Sequence, residues 1–174
     1  MSLYKNKKVL VTGGSGFIGT HFIQELLDRG ANVRTSIHKT PLKIQDDRIE
    51  VLKNIDLTKL DDTMKLVDGV DIVIHCAGKI GHPSSIPTDY QIGLNQITVI
   101  TNVLEACYKQ GVERFLDLNS STGYPDRRYP ITEEEYWDDE PFISYYSYGW
   151  MRRYREKLME HTSHLTDMHI GIAR

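Results

Sequence analysis

The stretch Val9-Leu10-Val11-Thr12-Gly13-Gly14-Ser15-Gly16-Phe17-Ile18-Gly19 decides the fold. Three consecutive apolar residues suit a strand covered on both faces of a parallel sheet, where hydrophobic runs replace alternation. The glycines after them have separate tasks in a turn from strand to helix. Gly13 permits the tight turn, Gly16 lets backbone approach a pyrophosphate with no side chain between, and Gly19 lets the helix lie close on the strand. Free N–H groups and the positive end of the macrodipole at the helix start then meet negative charge. The pattern implies a dinucleotide-binding opening, with Ser15, Phe17 and Ile18 beside the glycines, because a strand precedes it and an amphipathic helix follows.

Working outward, Phe17, Ile18, Phe22, Ile23, Leu26 and Leu27 recur at helical spacing up to a stop at Gly30. A second strand lies within Ala31 to Ile37, and its end is where such a fold meets the adenosine ribose. No acid stands there: Ile37 is followed by His38 and Lys39, with Arg34 earlier. A carboxylate would accept from the ribose 2′-hydroxyl and repel a 2′-phosphate, so its absence favours NADP over NAD as cofactor. Ile49 to Leu52 reads as a third strand. After it, Asp56 with Leu57 either meets the adenine amino group or caps the next helix, Leu60 to Val67.

Val70 to Gly78 reads as a fourth buried strand whose small terminal residues, Cys76-Ala77-Gly78, let a cofactor pass close to backbone. His75 within it reads as a core histidine bonded to backbone. Residues 79–90 form a loop at the carboxyl end of the sheet. A long helix, 91–110, leads to a fifth strand at Phe115–Asn119 and then to Ser120-Ser121-Thr122-Gly123-Tyr124-Pro125. Residues 126–144 are acidic and without periodicity, as in a surface loop. Helix returns from Tyr145 to His161, and Met168 to Ala173 is a sixth strand. Alternating apolar strands and amphipathic helices predict an α/β, doubly wound Rossmann fold with a parallel sheet in order 3-2-1-4-5-6.

The 174 residues suit one domain, 1–174, and the formal charge of −3 offers no basic field for nucleic acid or anionic lipid. No apolar run is long enough to span a bilayer, and Met1 to Lys8 is polar rather than a signal peptide, so the cytoplasm is the expected compartment. Cys76 and Cys107 are expected as buried reduced thiols, and no Cys/His spacing suggests a metal site.

Five features in order resemble the extended short-chain dehydrogenase/reductase superfamily, the nucleotide-sugar epimerases, reductases and dehydratases. They are Thr12-Gly13-Gly14-Ser15-Gly16-Phe17-Ile18-Gly19, Asp56-Leu57, His75-Cys76-Ala77-Gly78, Asn102-Val103-Leu104-Glu105-Ala106-Cys107, and Ser120-Ser121 ahead of Tyr148-Gly149-Trp150. Ser120 to Pro125 is similar to the Ser-Ser-Cys-Ile-Tyr-Pro of GDP-fucose synthases, with Thr122 in place of the cysteine. The Thr-Asp-Glu of sugar 4,6-dehydratases is missing, which argues against dehydration. The resemblance implies hydride transfer on a nucleotide sugar, with Tyr148 as general acid/base and Ser120 holding the reacting oxygen.

In this superfamily a lysine four residues after the tyrosine shares its helix face, lies near the phenol and holds the nicotinamide ribose. Here that position is Arg152. Arginine keeps the charge but presents a planar fork and cannot relay a proton. That substitution is also what a non-catalytic, sensor-like member of the superfamily would carry, the alternative function. The resemblance further implies a homodimer through helices 91–110 and 145–163, with Ile97, Leu104 and Tyr108 as candidate contacts. It implies too that the strand ending at Arg174 leads into a C-terminal substrate lobe absent from these residues.

Overall fold

All six strands run parallel, and they lie in the order 3-2-1-4-5-6 expected of them. The computed structural model describes residues 3–38, 40–78 and 90–174, with backbone alone at residues 90 and 92. The elements are β1 (Lys8–Thr12), α1 (Phe17–Asp28), β2 (Asn32–Ile37), β3 (Ile49–Lys53), α2 (Leu60–Val67), β4 (Ile72–His75), α3 (Tyr90–Gln110), β5 (Arg114–Leu118), α4 (Tyr146–Leu165) and β6 (His169–Ala173).

The apolar run of β1 is fully buried because both faces are covered. Val9 and Val11 pack with Ile23, Leu26 and Leu27 of α1, whereas Leu10 faces a second cluster built on Leu66, Ile100, Val103, Phe115 and Met159. Burying each such side chain is worth about 1.5–3 kcal/mol, so the two clusters clamp the sheet and hold its carboxyl ends at one rim. The sheet edges differ. Glu50 of β3 is paired with Lys8 and Arg34 across the sheet, while β6 leaves His169, Gly171, Ile172 and Ala173 exposed.

Several expectations are corrected. β4 ends at His75, because from Cys76 onward the chain leaves the sheet. Most of the expected 79–90 loop, residues 79–89, lies outside the described residues, as does Lys39. Residues 126–144 are not simply surface loop. They carry short 3-10 turns at Glu134–Trp137 and, at their end, Ile143–Tyr145, and Tyr136 is fully buried. A Cβ on Gly123 would overlap the Tyr136 ring, so only glycine lets that ring sit beneath the turn. One buried aromatic leaves no period to read.

Leu104 is buried in the core rather than offered to a partner, and Ile97 is half-buried; Tyr108 is 63% exposed. α3 packs against both α2 and α4, which takes up more of its circumference than a single sheet face would. Both cysteines are free thiols, Cys107 buried and Cys76 half-buried. Burial pushes the Cys76 thiol up to about 12, and the Cys107 thiol is raised too. Neither is poised as a nucleophile. Among the described residues no helix is long and apolar enough to cross a membrane, and no group of His, Cys, Asp and Glu could hold a metal ion.

Candidate active site

Two of the three glycines do what the sequence predicts, one turning the chain and the other seating the helix. Gly13 has φ +71°, and a Cβ there would lie 2.9 Å from the backbone nitrogen of Ala77. On Gly19 a Cβ would run into the carbonyl oxygen of Gly13, so α1 seats directly on the turn. Gly16 is different: a Cβ would meet only the Gly13 oxygen, at 3.1 Å, and otherwise project into open space. That is the position at which a ligand could touch backbone. The first bond of α1 runs from the Thr20 N–H to the Gly16 oxygen, so the N–H groups of residues 17–19 precede the ladder. Phe17 and Ile18 are 81% and 51% exposed and contribute this backbone rather than their side chains.

A cleft of about 500 Å³ opens on the turn. It brings together Gly13, Ser15 and Gly16 with His38, with Asp56 and Leu57, and with Cys76, Ala77 and Gly78. Ser36, Thr40 and Ile55 also line it and were not singled out from sequence. Thr40 carries a signal only in three dimensions, since its carbonyl accepts the Ser15 hydroxyl at 2.8 Å. Asp56 does not cap α2, whose N-cap is Lys59. Its Oδ1 instead accepts the N–H and hydroxyl of Thr58 at 3.0 and 2.7 Å, bonds that hold the carboxyl below its ordinary range and keep it charged at the cleft wall.

Two readings near the cleft change. Arg34 does not face a ribose: it is 6% exposed, with Nε and one terminal nitrogen on the Glu50 carboxylate and the other on the carbonyls of Leu66 and Asp68. On a strand covered on both faces a guanidinium must be paired, and parallel register sets Glu50 directly beside it. His75 bonds the Thr12 hydroxyl at 2.9 Å rather than backbone, and the same hydroxyl oxygen accepts the Ala77 N–H at 3.1 Å. Burial holds the imidazole well below its ordinary pKa, so it is neutral and structural.

Farther along the carboxyl rim of the sheet, and outside the lining of that cleft, the turn after β5 is locked to α4. A Cβ on Gly149 would lie 2.6 Å from the Thr122 oxygen, the Arg153 Nε donates to the Gly123 carbonyl at 2.8 Å, and Asn119 donates to the Arg152 carbonyl at 3.2 Å. The Ser120 hydroxyl oxygen accepts from Thr122 N–H and hydroxyl at 3.3 and 3.2 Å, leaving its own proton to donate. Tyr148 is 6% exposed, and its oxygen accepts a hydrogen bond from the Gln96 amide. The Arg152 guanidinium carbon lies 5.3 Å from the Tyr148 ring centroid, over the face. Spacing of four therefore brings cation and phenol together. Burial and the charge of Arg155 push the Arg152 pKa down, though an arginine starts so high that it stays a cation.

Sequence reasoning missed the layer beneath. Asp117 on β5 and Arg155 on α4 form a buried ion pair, with side chains 0% and 3% exposed. The signal was a charge inside an apolar strand. Burial raises the Asp117 pKa and Arg155 opposes that rise. Glu156, the next residue of α4, pairs with Arg174, whose guanidinium carbon lies 4.0 Å from the Tyr136 ring centroid.

Residues 9–174 match the sequence profile of the NAD dependent epimerase/dehydratase family. The chain belongs to that family. It is 28% identical over 161 residues to GDP-mannose 3,5-epimerase 1 of Oryza sativa subsp. japonica, a match covering 88% of this chain and 42% of that protein. Epimerase Mth375 of Methanothermobacter thermautotrophicus superposes with TM-score 0.83 at 27% identity, over 98% of this chain and 52% of that one. MoeE5, solved in complex with UDP-glucose and NAD, gives 0.79 and 26%, over 96% and 53%. The chain thus spans about half the length of the relatives it matches.

The residues fit a nicotinamide dinucleotide. The cradle at Gly16 is one that a Cβ would fill, the helix start offers N–H groups to phosphates, and Asp56 and His38 flank the cleft beyond it.

Proposed function

We propose that this chain is the cofactor-binding part of an NAD(P)-dependent enzyme that epimerises or reduces a nucleotide sugar by hydride transfer. The observation that carries the reading is the junction of Tyr148, with Arg152 over its ring, and the Ser120 turn, at the same rim as the glycine cleft. A bound nicotinamide supplies the hydride acceptor and donor. Tyr148 exchanges a proton with the sugar oxygen, Ser120 donates a hydrogen bond that holds that oxygen, and Arg152 sets its positive charge over the phenol ring. A nucleotide sugar as substrate is supported by what similar proteins are named for or were solved with, GDP-mannose epimerisation and UDP-glucose. Most substrate contacts belong to a second lobe, in keeping with relatives of about twice the length.

NADP is the cofactor this site favours, with NAD as the alternative. The support is His38 in the cleft after Ile37, with no acid at the end of β2; Arg34 no longer contributes. Charge-assisted phosphate contacts are each worth about 1.5–3 kcal/mol, so calorimetric titration should find NADP preferred by roughly tenfold or more. Equal or tighter NAD binding rejects this. In protein carrying the substrate lobe, a panel of nucleotide sugars should change the nicotinamide absorbance within one turnover; no change with any of them favours a purely cofactor-binding role.

The partner reading is a homodimer through α3 and α4. Exposed Leu94 and Tyr108 on α3, and Tyr146, Trp150 and Tyr154 spaced by four on α4, support it. Sedimentation showing only monomer at micromolar concentration counts against it.

A further inference from the structure

His75 has no part in the reaction proposed above, yet it is 1% exposed and stands one residue behind Cys76, Ala77 and Gly78 in the wall of the cofactor cleft. Register sets it beside Thr12 of β1. Its Nδ1 meets the Thr12 hydroxyl at 2.9 Å, and the same hydroxyl oxygen accepts the N–H of Ala77 at 3.1 Å, where the chain has left β4. Ala77 also presses on the glycine turn, with its nitrogen 2.9 Å from where a Cβ of Gly13 would lie. One side-chain oxygen on β1 therefore ties the β4 exit to the turn, and the histidine meets that oxygen from behind.

The direction of these bonds follows from counting protons. A hydroxyl has one proton and two lone pairs, and a neutral imidazole has one N–H and one bare nitrogen. His75 is neutral, because burial and the charges of Arg155 and Arg152 all oppose a second proton. Ala77 can only donate, so it takes one lone pair of Thr12. If Nδ1 carried the imidazole proton, it would take the other. The proton of a hydroxyl in a residue with 0% exposure would then have no acceptor, and Nε2 would be a buried acceptor with no donor. If instead the hydroxyl donates to a bare Nδ1, Thr12 is fully paired and the Nε2 N–H alone is left over. The second arrangement strands fewer buried groups, each of which is costly to leave unmade.

We infer that His75 is a positioning residue for the cofactor: its bare Nδ1 takes the Thr12 proton and so fixes that hydroxyl with a lone pair on the Ala77 N–H, which keeps the β4 exit packed on the glycine turn. The inference rests on the reading of this cleft as the cofactor site. Thr12 and His75 act as one unit, and neither touches the ligand.

Long-range proton–nitrogen correlation spectra show which imidazole nitrogen carries the proton, with the His75 signals identified by their loss in His75→Leu. The expected pattern is a protonated Nε2 and a bare, accepting Nδ1; a protonated Nδ1 overturns the inference. Calorimetric titration with NADP measures the consequence. Thr12→Val should weaken binding roughly threefold to tenfold, about the worth of one hydrogen bond, and should speed hydrogen exchange of the Ala77 amide, whereas Thr12→Ser should leave both near the natural values. His75→Leu should weaken binding roughly threefold in the natural background and no further in Thr12→Val, because it acts through that hydroxyl alone. Equal losses from His75→Leu in both backgrounds overturn the inference, as does natural NADP affinity in Thr12→Val. A natural chain that binds neither NADP nor NAD would instead sink the reading of the cleft, leaving the imidazole spectrum and the Ala77 exchange to judge the geometry by themselves.

Discussion

The two halves of the sheet's carboxyl rim are built from different material. At the glycine end, β1, α1 and the β4 exit meet backbone to backbone, and the contacts that matter are spaces only a missing Cβ leaves open. At the tyrosine end, β5, α3 and α4 meet through buried charged and amide side chains: Asp117, Arg155, Gln96 and Glu156. The first end is limited by geometry and the second by electrostatics. Substitutions should therefore fail differently at the two, and four experiments sharpen or break the contrast.

The largest effect is expected at Tyr148. Tyr148→Phe should cost about 10²–10⁴-fold in turnover and leave cofactor affinity nearly unchanged, since general acid/base groups contribute that much. Parallel loss of cofactor binding would mean the phenol belongs to the cofactor site instead. Next comes Arg155→Met, which strands Asp117 in the interior and should cost roughly 3–5 kcal/mol in urea unfolding. Adding Asp117→Leu should recover most of it, and no recovery would show that packing, rather than charge, joins this end.

At the glycine end the effects are smaller and separable. Gly13→Ala forces a side chain into φ +71° and against Ala77, and should destabilise by about 1–2 kcal/mol. Gly16→Ala should shift the unfolding midpoint less than Gly13→Ala while weakening cofactor binding, because its Cβ meets only the Gly13 oxygen, at 3.1 Å, and otherwise enters the open cleft. If Gly16→Ala proves the more destabilising, the cradle has been misread.

The smallest effect is one of pH. His75 has its pKa depressed in the fold, so above about 6.5 it is neutral folded and unfolded and costs nothing. As pH falls below that value the unfolded chain takes up the proton first, and stability drops by at most about 1.4 kcal/mol per pH unit. Thermal melts between pH 7 and 5.5 should show this slope reduced in His75→Gln, and an unchanged slope would assign it to other groups.

The same contrast explains what sequence alone could show. The glycine end was legible because it is local: one short stretch carries strand, turn and helix start, and backbone needs little beyond glycine spacing. The sheet order followed because apolar runs alternate with amphipathic helices. Arg34 misled because a basic residue near the ribose looks available until β3 sets Glu50 beside it. Leu104 misled because a helical stripe says which residues share a face, not which neighbour that face meets. The Asp117–Arg155 pair spans 38 positions, and a charge inside the apolar run of β5 does not say which cation meets it. Tyr136 gave no signal because it is one of four aromatics in an acidic segment without periodicity, and nothing marks it as the buried one.

The two sheet edges differ in how they behave toward other molecules. An open edge is a template on which another chain can add a strand, and natural sheets guard theirs with charge. β3 has Glu50 and Lys53 for this; β6 runs His169-Ile170-Gly171-Ile172-Ala173 with no charge until Arg174, and Ile172 is 37% exposed. In colloidal terms, then, β6 is the less guarded edge among the described residues, and Ile172→Lys would give it the guard that Lys53 already gives β3.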